Sequence, residues 1–149
     1  MRRWGLPLFL LAPLASCSQP PELVVHDAWT RDTVGRTSNA AVFMTIKSDN
    51  SDRLIAASTP VARKTDLMTM GARGGVIGMK YVQGVDIPAG TSVSLNPTGL
   101  HVWLDGLEHP LLAGETFPLI LKFQKAGERR IVVSIIDPAA APPGPQTEK

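Results

Sequence analysis

The chain has 149 residues, of which 15 are Lys or Arg and 13 are Asp or Glu, for a formal charge of +2. So small an excess excludes binding to nucleic acid or an anionic surface by electrostatics alone. A single cysteine excludes an internal disulfide and a multi-thiolate metal site.

The N-terminus reads Met1-Arg2-Arg3, then an apolar run over 4–14, then Ala15-Ser16-Cys17. This is a basic region, a short hydrophobic region and a small-residue cleavage site, the pattern of a secretory signal. The apolar run is too short for a transmembrane helix and contains Pro7 and Pro13. Leu14-Ala15-Ser16-Cys17 also resembles the bacterial lipobox, in which cleavage leaves the cysteine as a lipid-modified first residue. A plain signal peptide followed by a free thiol is the alternative. The lipoprotein reading is preferred because the sole cysteine sits at the cleavage point, and a lone thiol elsewhere in an exported domain would be a liability. Ser18, where an aspartate would signal inner-membrane retention, points to the outer membrane. Loss of residues 1–16 removes two arginines and no acid, leaving 13 basic against 13 acidic residues.

The expected organisation is a signal peptide over 1–16, a lipidated tether over 17–21, one domain over 22–137 and a disordered Pro/Ala-rich tail over 138–149. Within the domain the apolar pattern repeats every second residue. Val42, Met44 and Ile46 point one way, and Phe43, Thr45 and Lys47 the other. Residues 64–70 read as a strand with Leu67 on the core face and Met68 and Met70 opposite. Ile77 and Met79 share a face. In the strand around 100–104 the aliphatics face one side, and His101 and Trp103 the other. Phe117, Leu119, Leu121 and Phe123 line one face of a later strand. Ile131, Val133 and Ile135 do the same in the last. Turns are expected over 48–52, 71–75, 88–90, 96–99 and 126–127, and Pro118 suggests an edge strand or a bulge. No stretch of twelve residues has helical apolar spacing free of Gly or Pro. Short strands at this spacing predict an all-β fold, an antiparallel Greek-key β-sandwich or barrel.

Met68, Met70, Met79, His101 and Trp103 form the candidate site. Thioether and imidazole donors without carboxylate or thiolate suit a soft ion such as Cu(I). A single methionine is more often a gap-filler, and Met44, between Val42 and Ile46, is read that way. His26 and His109 are read as ordinary polar residues.

Five segments carry a family resemblance: His26-Asp27-Ala28-Trp29-Thr30-Arg31, Asn39-Ala40-Ala41-Val42-Phe43-Met44-Thr45-Ile46, Asp52-Arg53-Leu54-Ile55-Ala56-Ala57-Ser58-Thr59-Pro60, Val85-Asp86-Ile87-Pro88-Ala89-Gly90 and Leu107-Glu108-His109-Pro110-Leu111. With them the stretch from Leu23 to Ile136 resembles the periplasmic PCuAC-type copper chaperones, a cupredoxin-like family. The resemblance implies a Cu(I) site at Met68, Met79, His101 and Trp103. Met68 stands at the family's first histidine position, Met79 at its methionine, His101 at its second histidine and Trp103 at its final methionine. Met for His softens the site further. Trp103 in place of a methionine removes a ligand and supplies a π-face to the cation. Met70 is an auxiliary thioether.

The resemblance implies a lipid-anchored Cu(I) metallochaperone on the periplasmic side of a bacterial membrane. It would serve copper homeostasis or supply a cytochrome oxidase subunit, with a thioredoxin-like copper-assembly protein as a further partner. The alternative is a metal-free β-sandwich lipoprotein acting as an assembly or interaction module. No enzyme is expected: no serine sits in a nucleophile elbow. Asp105 shares a strand face with His101 but adds no nucleophile. A blue-copper centre is excluded because it needs a cysteine thiolate.

Overall fold

A computed structural model describes residues 22–35 and 37–144; the signal segment, Cys17 and its tether, and residues 145–149 lie outside the described residues. The described chain is all-β: Leu23–Arg31 (β1), Asn39–Ser48 (β2), Asp52–Ser58 (β3), Ala62–Arg73 (β4), Val76–Tyr81 (β5), Val85–Ile87 (β6), Val93–Leu95 (β7), Leu100–Leu107 (β8), Thr116–Phe123 (β9) and Gly127–Ile136 (β10). Neighbouring strands follow the order β5-β4-β8-β2-β1-β10-β9-β3-β6, with β7 also on β2. Along one edge of β2, Asn39 to Val42 pair with β8 and Met44 to Ile46 pair with β7. The sheet wraps so that its inner faces share one apolar core.

The expected alternation is what builds that core. Val42, Met44, Ile46, Leu119, Leu121, Phe123 and Val133 are buried in it, together with Leu54, Ile87, Val102 and Leu104. Three expectations are refined. The pairing is antiparallel except between β1 and β10, which run parallel through Trp29↔Ser134. The turn expected over 71–75 is confined to Gly74 and Gly75, whose φ values of 58° and 82° suit the two-residue hairpin connection. Gly71 lies inside the ladder opposite Gly78. Finally, β9 is flanked by β10 and β3, so it is not an edge strand; Pro118 sits just past Ser58↔Ile120, the last β3–β9 pair, where no β3 carbonyl needs its missing N–H.

Two polar devices tie the ends of strands together. Asp52, at the start of β3, accepts from the backbone N–H groups of Lys125 and Ala126 at 2.9 Å and of Arg53 at 2.7 Å. Burial pushes its carboxyl pKa up, but these N–H donors and the Lys125 ammonium outweigh that and hold it below the usual carboxylate value. Arg31 donates to the carbonyls of Pro138 at 2.7 Å and Ala140 at 3.3 Å, tying the segment after β10 to β1.

Candidate metal site

The site lies on the face of β4, β8 and β2 that points away from the core. Leu67, Val102 and Val42 occupy one row of register pairs on the core face. One residue along, Met68 faces His101, and Met68 also faces Tyr81 on the other side. One step further towards the β4–β5 turn, Met70 faces Met79. Trp103 sits opposite Asp66 on β4 and Ala41 on β2. All five candidate residues therefore share one surface, on adjacent strands.

That surface is not simply solvent-facing. Met68 is 6% and His101 3% exposed, whereas Met70 is half-buried and Met79 46% exposed. His101 stands within an aromatic row that alternation did not predict. Trp29 and Phe43 are buried with ring centroids 4.7 Å apart. Phe43 stands edge-on to His101 at 6.2 Å, and His101 edge-on to Trp103 at 6.2 Å.

Trp29 reaches this face because β1 is bulged. His26 pairs with Thr45 and Trp29 with Phe43, so three steps along β1 span two along β2. Asp27, inside the bulge, has φ 52°, a left-handed conformation that Asp tolerates better than most residues. Without the extra residue Trp29 would share the core face with Val25. With it, Trp29 turns to the side of Phe43, and the Thr30 hydroxyl donates to the Ala41 carbonyl at 2.8 Å. The Arg31 guanidinium covers the Trp29 ring at 5.2 Å.

The key atom is His101 Nε2. Nδ1 lies 3.0 Å from the Gly99 carbonyl. A carbonyl only accepts, so Nδ1 carries a proton, and in the neutral imidazole Nε2 then presents a lone pair. That Nε2 is buried without a hydrogen-bond partner. Buried polar atoms are nearly always satisfied, and an unpaired imidazole nitrogen whose other nitrogen is fixed by a carbonyl is the arrangement of a metal ligand. Met68, its direct cross-strand neighbour, offers a thioether. The carboxylate nearest in register, Asp66, is engaged by Lys64 at 2.9 Å, and that hydrogen bond raises the lysine pKa. Among the described residues no three His, Cys, Asp or Glu side chains group to hold a metal. The donor set is thus neutral and soft, fitting Cu(I) and fitting poorly the harder divalent ions.

Met44 is buried in the core opposite Leu95, in keeping with a packing role. His26 is exposed opposite Thr45, and His109 is exposed between β8 and β9. Neither lies on the strands that carry the methionine pairs.

The profile of the family described as "Putative lipoprotein LpqE-like" matches residues 23–135. "Putative lipoprotein Lxx21020" of Leifsonia xyli subsp. xyli is 28% identical over 116 residues, covering 76% of this chain and 69% of that protein. The solution structure of CuI-DR1885 from Deinococcus radiodurans superposes with a TM-score of 0.65 at 32% identity, covering 84% of this chain and 85% of the other. The copper-bound PCuAC domain from PmoF2 superposes with a TM-score of 0.64 at 22% identity, over 78% of this chain and 93% of that domain, a likeness of fold. The chain belongs to the LpqE-like family, with the PCuAC-type, cupredoxin-like β-fold.

Proposed function

We propose that the protein is a lipid-anchored Cu(I) metallochaperone of the bacterial envelope. The observation that carries this is the buried, unpartnered Nε2 of His101 beside Met68. Cu(I) is the cargo. His101 and Met68 bind it from the buried side and Met79 from the exposed strand, with Met70 as an auxiliary thioether. Trp103, edge-on to His101, shields the ion from water and oxidant. The copper-bound and CuI-bound relatives support the reading.

Binding and release need no redox step. A neutral thioether on an exposed strand is readily exchanged for a donor from an acceptor, while His101 and Met68 keep hold of the ion. The acceptor in this reading is a copper centre under assembly, a cytochrome oxidase subunit or a thioredoxin-like copper-assembly protein. The anchor is Cys17, on the periplasmic side, with the outer membrane as its site; the lipoprotein relative supports anchoring.

The deciding experiment is titration of the mature protein with Cu(I) against a competing chelator. Near-equimolar tight uptake is expected, with tryptophan quenching that disappears in Trp103→Phe. Weak or absent uptake would leave the metal-free assembly module as the function.

A further inference from the structure

Strand β5 ends the sheet path, so one of its edges faces no strand among the described residues. All six of its residues are exposed, with Ile77 at 73% and Tyr81 at 67%. Edge strands are usually blunted by charge, proline or a bulge. Here Lys80 is the sole charged residue and there is no proline.

The register shows which backbone groups are free. The hairpin ladder runs from Arg73↔Val76 to Met68↔Tyr81 and continues with the Val82 N–H donating to the Leu67 carbonyl at 2.9 Å. In an antiparallel ladder hydrogen-bonded pairs alternate. Val76, Gly78 and Lys80 therefore turn their N–H and C=O groups to β4, and Ile77, Met79 and Tyr81 turn theirs outward. Met70, opposite Met79, agrees: its N–H leaves the hairpin for the Gly99 carbonyl at 3.2 Å.

Met79 thus offers an exposed thioether and an unpaired backbone at the same place. We propose that β5 is the docking edge for an extended, acidic segment of the protein that receives the metal, which pairs with Ile77, Met79 and Tyr81 as an added strand. The proposal rests on the Cu(I) reading above. An added strand runs about 4.8 Å from β5. It places a side chain about 5 Å from that of Met79, Cβ to Cβ. A thioether or imidazole there bonds to Cu(I) as the Met79 bond breaks, with no change of oxidation state. Charge selects the partner: residues 67–82 contain Arg73 and Lys80 and no carboxylate. A second copy of the chain would set the same cations against them, whereas an acidic segment complements them.

The test uses the mature chain, labelled for amide exchange and loaded with Cu(I). The probe is a decapeptide alternating Val or Met with Glu or Thr, with a control in which Lys replaces Glu. The acidic peptide is expected to protect the Ile77, Met79 and Tyr81 amides and to withdraw Cu(I), and the lysine peptide to do neither. Ile77→Pro removes an outward N–H without breaking a hydrogen bond of the β4–β5 ladder, and Lys80→Glu reverses the charge. Each is expected to slow transfer about tenfold or more while chelator competition reads an unchanged Cu(I) affinity. Wild-type transfer rates in both variants, or protection of other amides, overturn the proposal. So does protection of these amides without peptide together with a doubled mass, which assigns the edge to a second copy. If the chain takes up no Cu(I), the chaperone reading fails, and amide protection by the peptide still decides docking.

Discussion

A buried imidazole nitrogen without a partner costs about 1–3 kcal/mol in desolvation, and His101 carries one. A histidine kept for packing would be expected to shed that cost, so the two roles separate by experiment. In His101→Phe, which keeps a ring between Phe43 and Trp103, the apo protein should be as stable as wild type or more so. Cu(I) affinity should fall about 100-fold or more, since even loss of a ligand's supporting partner costs about 10–100-fold. Chemical denaturation and chelator competition on the same sample give both answers. Asp52 is the opposite case, a charge whose partners stabilise the fold. Its folded pKa is depressed, so its contribution is fully present above the unfolded value of about 3.9 and is lost as pH falls through the folded value. Asp52→Asn should cost about 1–2 kcal/mol at neutral pH. Its stability should also fall less than wild type between about pH 5 and pH 3, read from denaturation midpoints across that range.

At the level of the strand, the bulge in β1 determines what surrounds the site. Asp27 holds φ 52°, which a β-branched residue adopts only with strain and glycine adopts freely. Asp27→Val should therefore destabilise the protein by about 1–3 kcal/mol, and Asp27→Gly should be close to neutral, as measured by urea unfolding. The valine variant should also disturb the fluorescence of Trp29, which the bulge aims at Phe43. This bulge is what strict alternation could not foresee. Val42, Met44 and Ile46 identify the core face of β2, and the same parity puts Phe43 on the outer face with the polar Thr45 and Lys47. Only the extra residue at Asp27 brings Trp29 across to cover Phe43 and bury that face. The methionines and His101 stand out in the sequence as a set, but their grouping depends on register: Met70 meets Met79 because Gly74 and Gly75 place the β4–β5 turn, and Met68 meets His101 through the separate, non-local pairing of β4 with β8. The lone nitrogen of His101 depends on the Gly99 carbonyl, a contact within a turn that no side-chain pattern records.

Across the whole molecule the same strands serve two surfaces. β8 sends Val102 and Leu104, both fully buried, into the main core and His101 and Trp103 to the other side. β4 divides in the same way between Leu67 and Met68. The core and the proposed metal site are therefore built from neighbouring residues with opposite facing, and substitutions on the two faces should dissociate. Leu121→Ala removes a fully buried side chain from the core, distant from the site strands in the sheet order. It should cost about 2–5 kcal/mol and leave Cu(I) stoichiometry unchanged at temperatures where the variant is folded. Met68→Leu conserves volume and apolarity in a buried position, so it should cost less than about 1.5 kcal/mol. It removes a thioether donor, so Cu(I) affinity should drop while the unfolding midpoint barely moves. Calorimetry of the apo proteins paired with chelator competition reads both quantities. A Met68→Leu variant that binds Cu(I) like wild type would take Met68 out of the site and leave His101 to be served by Met70 and Met79. A Leu121→Ala variant that loses copper while folded would mean that the two faces are mechanically coupled through the sheet.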